Sequence, residues 1–226
     1  MSKEANVATR SEAMEEVVTQ ARTMRALMGG TAKMRECGED YLPRKEAESE
    51  SAYKARKKQS FLYNKTEDTI TTIKNKLLAK GLQLSEGADS GILDAVDLEG
   101  RDLSTFMQDW LVDAMQSGVS FAMADYPNNA GARTLAEERS AGYRPYASII
   151  PAENLLSFET IQSGAQVMLT RVNIMERVEV ETDNEFAEVF VDQVRVLRMT
   201  EQGMTYELWR QNKLGEWVIY EEPQLT

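Results

Sequence analysis

The sequence predicts an α+β protein with its helices first and its strands after. Three observations carry this. Up to Gly81, apolar residues recur at three- and four-residue steps, the spacing of an amphipathic helix. From Pro151 on, segments rich in Val, Ile, Tyr, Phe and Trp are separated by turn signals at Gln162-Ser163-Gly164, Thr182-Asp183-Asn184, Gln202-Gly203 and Lys213-Leu214-Gly215. Between them, from Asp97 to Pro127, a helical period gives way to a period of two. The expected organisation is a helical N-terminal region (1–82), an acidic turn-rich join (83–101) and an α/β to β-meander body (102–226).

The N-terminal residues 1–10 read as a frayed polar lead. Met14, Val17, Val18, Ala21, Met24, Leu27 and Met28 predict the first helix, with Thr9 and Glu12 spaced as a capping box and Gly29-Gly30 as its stop. Thr31 to Cys37 predicts a further helical turn ending at Gly38. Ser49 is placed to cap a third helix reaching about Tyr63. Thr66 opens a fourth, with Ile70, Ile73, Leu77 and Leu78 inward and Gly81 behind it.

The central helix and strand are expected to be the core of the fold. Leu103, Phe106, Met107, Trp110 and Leu111 share one helical face, Asp102 or Ser104 can cap its start, and Gly118 can end it in a left-handed conformation. Val119, Phe121 and Met123 then alternate with Ser120, Ala122 and Ala124 as a half-buried strand on which that helix packs. Leu103, Phe106, Trp110, Leu111 and Phe121 are the predicted structural core. Asn128 to Gly131 reads as a loop, Thr134 to Ala141 as a short helix, and Pro145 to Ile150 as a strand. The connection between Pro127 and Pro145 admits either a parallel crossover or a wide antiparallel return. Gln166–Val172, Arg177–Glu181, Val189–Met199, Thr205–Trp209 and Trp217–Tyr220 predict an antiparallel meander, stopped by Pro223. Val194 and Val196 share a face with Arg198, and the imperfect alternation around them predicts cover on both faces.

At 226 residues the chain can bury a substantial core without a disulfide, which its single cysteine could not form internally. No 18-residue apolar run and no signal-peptide pattern occurs, which predicts a soluble, intracellular protein. The net charge of −11 is uneven: residues 1–80 carry 16 Lys/Arg against 12 Asp/Glu, and residues 81–226 carry 10 against 25. An acidic body of that kind repels a nucleic-acid backbone rather than gripping it. The absence of histidine removes the Ser-His-Asp and Cys-His nucleophiles and the HExxH zinc site, and one cysteine cannot build a thiolate zinc site.

The remaining motifs reduce to local roles. Asp94, Asp97, Glu99, Gly100 and Asp102 hint at a calcium loop. Setting Gly100 at position six, however, puts Ala95 at one and Phe106 at twelve, where oxygen ligands are required. Gly29-Gly30-Thr31-Ala32-Lys33 lacks the phosphate-loop spacing and follows a helix. Asp125 at a strand end can hold a metal or act as a base, but no second convergent carboxylate accompanies it. Cys37 lies near Lys33 and Arg35, and equally near Glu36, Glu39 and Asp40. Lys54, Arg56, Lys57 and Lys58 form a basic patch that can meet DNA or a partner, or simply face water. No catalytic, metal-binding or cofactor-binding constellation emerges.

Taken together and in order, Tyr41-Leu42-Pro43, Glu50, Tyr53, Arg56, Phe61, Asn64 and Thr66 resemble the opening of a branch of tailed-bacteriophage portal proteins long catalogued as a domain of unknown function. The resemblance continues through Asp97-Leu98-Glu99-Gly100, Leu103, Phe106, Gly118, Asp125-Tyr126-Pro127, Pro145-Tyr146 and Pro151-Ala152-Glu153-Asn154, covering about residues 24 to 222. It departs from the pattern at Lys74-Asn75-Lys76-Leu77-Leu78, where many relatives carry a glycine and an aromatic.

That family resemblance implies a non-enzymatic structural protein, a homo-oligomeric ring typically of twelve subunits. Such a ring sits at the portal vertex of the capsid, after assembly in the host cytoplasm. Through it double-stranded DNA is packaged and ejected, with terminase, head-tail adaptor and capsid protein as partners, no cofactor, and no membrane. The helical region corresponds to the wing and the rest to part of the body. Relatives are longer, so the chain is expected to be a truncated, split or partial portal that stops before stem and clip. The alternative is a non-catalytic phage adaptor or another α+β protein-binding module. An enzyme comes third, limited to carboxylate, Lys or Tyr chemistry with a divalent metal.

Overall fold

The fold was analysed in a computed structural model that describes residues 5–82, 95–126, 134, 137, 142–180, 182 and 186–225. Among the described residues five α-helices precede seven strands: α1 (Glu12–Met28), α2 (Gly30–Cys37), a 3-10 turn (Gly38–Asp40), α3 (Glu50–Gln59), α4 (Lys65–Leu77), α5 (Leu103–Ser117), then β1 (Phe121–Asp125), β2 (Tyr146–Ile150), β3 (Leu155–Ser163), β4 (Gln166–Val180), β5 (Val189–Thr200), β6 (Gly203–Gln211) and β7 (Trp217–Leu225). All strand pairs are antiparallel, so the architecture is α+β as the residue pattern predicts. The chain forms two compact units, Val17–Ser120 and the combination of 1–16 with 121–226. α5 is thereby grouped with the N-terminal helices, and β1 with the sheets.

In the helical unit each helix is ended by identifiable chemistry. α3 starts at Ser49, whose side chain accepts from Ala52 N, and α5 starts at Asp102, which accepts from Thr105 N. Gly118 ends α5 in the left-handed conformation at φ 76°. Three expectations need correction. α1 is capped by Ser11, whose hydroxyl accepts from Met14 N, because Thr9 Oγ1 is already taken by Asn6 N. α4 is capped by Asn64 rather than opened by Thr66, since the amide oxygen of Asn64 accepts from Glu67 N. α3 ends at Gln59, where Ser60 turns extended.

The apolar core of this unit is thin: Ala21, Ala26, Tyr53, Ile70, Val96 and Phe106 are buried, while Ile73 and Leu77 are 41% and 63% exposed. Polar clips supplement it. Asn64 Nδ2 donates to Leu27 O at 2.7 Å, Leu62 N to Thr31 Oγ1 at 3.0 Å and Arg35 Nε to Ser60 O at 2.9 Å. Arg25 donates to Asp113 and Gln116 of α5, and Ser120 Oγ donates to the other oxygen of Asp113.

In the sheet unit, β3 to β7 form a five-stranded meander in sequence order, and β1 and β2 form a separate antiparallel pair with Asp125 opposite Tyr146. The parallel crossover is therefore excluded. β4 is one 15-residue strand where two were expected, and β3 was not expected as a strand. β7 continues through Pro223 to Leu225. An edge strand tolerates proline because its N–H need not enter a ladder, and the β6–β7 register is irregular there, between Tyr206 and Trp209.

The two faces of the meander differ. On one, Val194 and Val196 are fully buried with Leu156, and Val7, Ala8, Met175, Trp209 and Trp217 pack on them. Residues 5–11 are consequently no frayed lead: Ser11 N donates to Leu156 O and Asn173 Nδ2 to Val7 O. On the other face an apolar hollow of about 280 Å³ lies between Phe121 and Ile150 of the strand pair and Phe158, Val172, Ile174 and Leu197 of the meander. The expected cover on both faces of β5 is found. The principal core lies here rather than around α5.

Candidate functional site

The basic patch at 54–58 rides on α3, and most of its charge is spent locally. Arg56 grips Glu48 with two parallel bonds, Nε to Oε1 at 2.8 Å and Nη2 to Oε2 at 2.7 Å, and also donates to Pro43 O. That hydrogen bond, which outweighs desolvation, holds the Glu48 carboxyl down to about 2. Lys54 pairs with Glu50 at 2.6 Å, and Lys57 lies 6.0 Å from the Tyr53 ring centroid beside Arg56 at 5.4 Å. Lys58 is exposed at the end of the same helix. The patch fastens the 41–48 segment to α3 and leaves Lys58, with the Glu50-paired Lys54, as its exposed cations.

Of the predicted core residues, Phe106 alone is fully buried; Leu103, Trp110, Leu111 and Phe121 are half-buried, and the Trp110 ring tilts against Phe106 with centroids 6.3 Å apart. α5 packs on α4 within the helical unit. The acidic turn before it is self-contained. Asp97 Oδ1 accepts from Glu99 N and Arg101 N, and Asp97 Oδ2 lies 3.1 Å from Arg101 Nε. Burial opposes the Asp97 charge, but these backbone N–H groups and Arg101 outweigh it and lower its pKa. With Leu98 at φ 63° and Gly100 at φ 87°, this is a tight cap for α5, not a calcium loop; Asp94 lies outside the described residues. Cys37 is half-buried and free, while Lys33 turns to Glu36 and Arg35 to Ser60 O. The 128–131 loop falls outside the described residues, and of the predicted 134–141 helix only Thr134 and Glu137 are described.

A polar network that sequence reasoning missed crosses the sheet unit. Arg195 Nε donates to Glu176 Oε1 at 2.6 Å, and its Nη1 is 3.9 Å from Asp125 Oδ2, which accepts from Tyr146 Oη at 3.0 Å. Glu176 Oε2 accepts from Gln193 Nε2, and Gln193 Oε1 in turn accepts two bonds from Arg210. The Arg195 guanidinium lies 5.4 Å from the Tyr206 ring centroid, and Tyr206 donates to Glu221. Burial opposes the Arg195 charge; the hydrogen bond and charge of Glu176, then Asp125, more than restore it and raise its pKa. Burial, followed by the Asp125 carboxylate, raises Tyr146, and burial with Glu221 raises Tyr206. Asp125 thus serves as a fastener between β1 and the meander. Strand register could not be read from the sequence, so residues this far apart gave no signal.

Among the described residues no group of three or more carboxylate or thiol side chains is placed to hold a metal ion. No described helix is long and apolar enough to cross a membrane. No protein-family model and no curated protein matches the chain.

Proposed function

We propose that the chain is a non-catalytic structural segment of a portal-like virion protein, contributing wing and part of the body to a homo-oligomeric ring for double-stranded DNA. The observation that carries the reading is where the family-like residues fall. Many of them sit at joints: Leu42-Pro43 after the 3-10 turn, Asn64 and Gly118 as caps, Asp97 to Gly100 before α5, and Asp125 and Pro145 at strand ends, while Tyr53, Arg56 and Phe106 lie within α3 and α5. Pro151 to Asn154 turns β2 into β3, with Asn154 N donating to Pro151 O and Met175 N to Asn154 O. Residues that set joints specify an architecture rather than a chemistry, as a ring subunit requires. Terminase, adaptor, capsid protein and passing DNA are the partners in this reading, with the portal vertex as its location.

The alternative, an adaptor or other protein-binding module, is favoured by the helical unit's exposed Phe61 (79%), Tyr63 (73%) and Leu77. Electron microscopy and light scattering of the product of the complete reading frame separate the two. Rings of fixed subunit number that retain terminase support the portal reading. A stable monomer that captures neither itself nor terminase sinks it. Metal-dependent DNA cleavage abolished by one Asp or Glu substitution would overturn the non-catalytic assignment.

A further inference from the structure

The most unusual chemistry lies on the meander face covered by the N-terminal lead, in an open hollow of about 440 Å³ lined by Arg10, Arg171, Arg198, Asn173 and Trp209 together with small polar residues. Among the described residues no carboxylate lines it. The sheet unit carries 11 Lys/Arg against 21 Asp/Glu, a net −10, so a carboxylate-free cup holding three of its eleven cations runs against its composition.

Arg171 and Arg198 are register partners, directly opposite each other on β4 and β5. Like charges so placed repel. Each has a carboxylate partner, but neither partner lines the hollow: Glu159 lies 2.7 Å from Arg171 Nη2 and Glu207 3.0 Å from Arg198 Nη2. Arg10 joins them from the lead, donating to Glu153 O and lying 3.3 Å from Glu15. Four polar atoms of these side chains are buried without a partner: Arg10 Nε, Arg171 Nε, Trp209 Nε1 and Asn173 Oδ1. Buried polar atoms left unmatched are costly, so they mark where something is meant to sit. Three are donors and one is an acceptor, a set that favours an anion.

We propose that this hollow binds a single oxyanion, a phosphate group held among Arg10, Arg171, Arg198 and the Trp209 N–H. Donors arriving from the lead, β4, β5 and β6 approach from several sides. That suits a tetrahedral anion with three or four acceptor oxygens better than a planar carboxylate. The Asn173 oxygen is placed to accept from a protonated phosphate oxygen. The acidity of the surrounding unit disfavours a polyanion and leaves room for an isolated group. This site does not depend on the portal reading.

The test is a titration of the full chain with inorganic phosphate and with glycerol 3-phosphate, against chloride at matched ionic strength, read by melting temperature and tryptophan fluorescence. Saturable stabilisation by either phosphate and not by chloride is expected, and the tighter of the two identifies a free ion or a monoester as the source. Arg171→Gln should bind roughly tenfold more weakly. Trp209→Phe, which keeps an aromatic ring at the position and removes the indole N–H, should bind several-fold more weakly by melting temperature even if Arg171→Gln fails to fold. Absence of a saturable response, an unchanged response in both variants, or equal binding of acetate would overturn the proposal.

Discussion

The two units are held together by different forces. The sheet unit buries a contiguous apolar core in which Val194, Val196 and Leu156 are almost wholly removed from water. The helical unit buries few large side chains and relies on paired charges and side-chain-to-backbone clips such as Arg25–Asp113, Arg56–Glu48 and Asn64–Leu27 O. Apolar burial is proportional to area and is not screened by salt, whereas partly exposed ion pairs weaken with salt and with acid. The same chain should therefore show one unit limited by packing and another limited by electrostatics. Its tryptophans can report them separately, since Trp110 lies in the helical unit and Trp209 and Trp217 in the sheet unit.

The largest effect is expected in the sheet unit. Leu156→Ala should cost about 2–5 kcal/mol in urea unfolding followed by the Trp209 and Trp217 signal. A loss below ~1 kcal/mol would remove the claim that packing dominates there. Next comes Asp113→Ala, which strips partners from both Arg25 and Ser120. Because Arg25 keeps some water contact, the cost should be about 2–3 kcal/mol, short of that for a fully enclosed pair. An equal melting-temperature loss in Asp113→Asn would show that charge is not what matters at that position.

Trp110→Ala should cost only about 1–2 kcal/mol, because the ring is half-buried against Phe106. A penalty of ~4 kcal/mol would show that α5 is a packing element after all. The subtlest effect is on the acid limb. Glu48 titrates at about 2 when folded, below its ordinary 4.5, so its contribution is full above about pH 4.5 and drains away as the pH falls toward 2. Glu48→Gln should flatten the fall in helical-unit melting temperature over that window. An unchanged acid limb would show that the Arg56 clamp adds nothing to stability.

The elements most legible in the sequence were those whose ends are set by local chemistry. Ser49, Asp102 and Gly118 cap helices through atoms three or four residues away, and three of the four meander turns carry a glycine, Gly164, Gly203 or Gly215. β3 was opaque because only Leu155 and Leu156 are buried and the strand then runs largely exposed, with Phe158 and Ile161 set among polar residues out of a period of two and a register shift at Glu159. β4 read as two strands because Asn173 interrupts the apolar run, yet it is buried and spent on Val7 O. Trp110 and Leu111 fitted an apolar stripe, but the helical unit brings too little surface to enclose them. The candidate sites were the least legible. The Arg195 network and the arginine-lined hollow exist only once strand register is set, and a single sequence does not reveal register.

The Arg195 network also constrains how this protein can vary over time. One cation there answers two carboxylates on two other strands, Asp125 on β1 and Glu176 on β4. Losing Arg195 leaves two partly buried anions facing each other, while losing either carboxylate alone leaves the second in place. Drift should therefore pass through positions 125 and 176 before it reaches 195. Lineages that have replaced the arginine should already carry neutral residues at both. The order of substitutions, and not merely their identity, is thus written into the geometry.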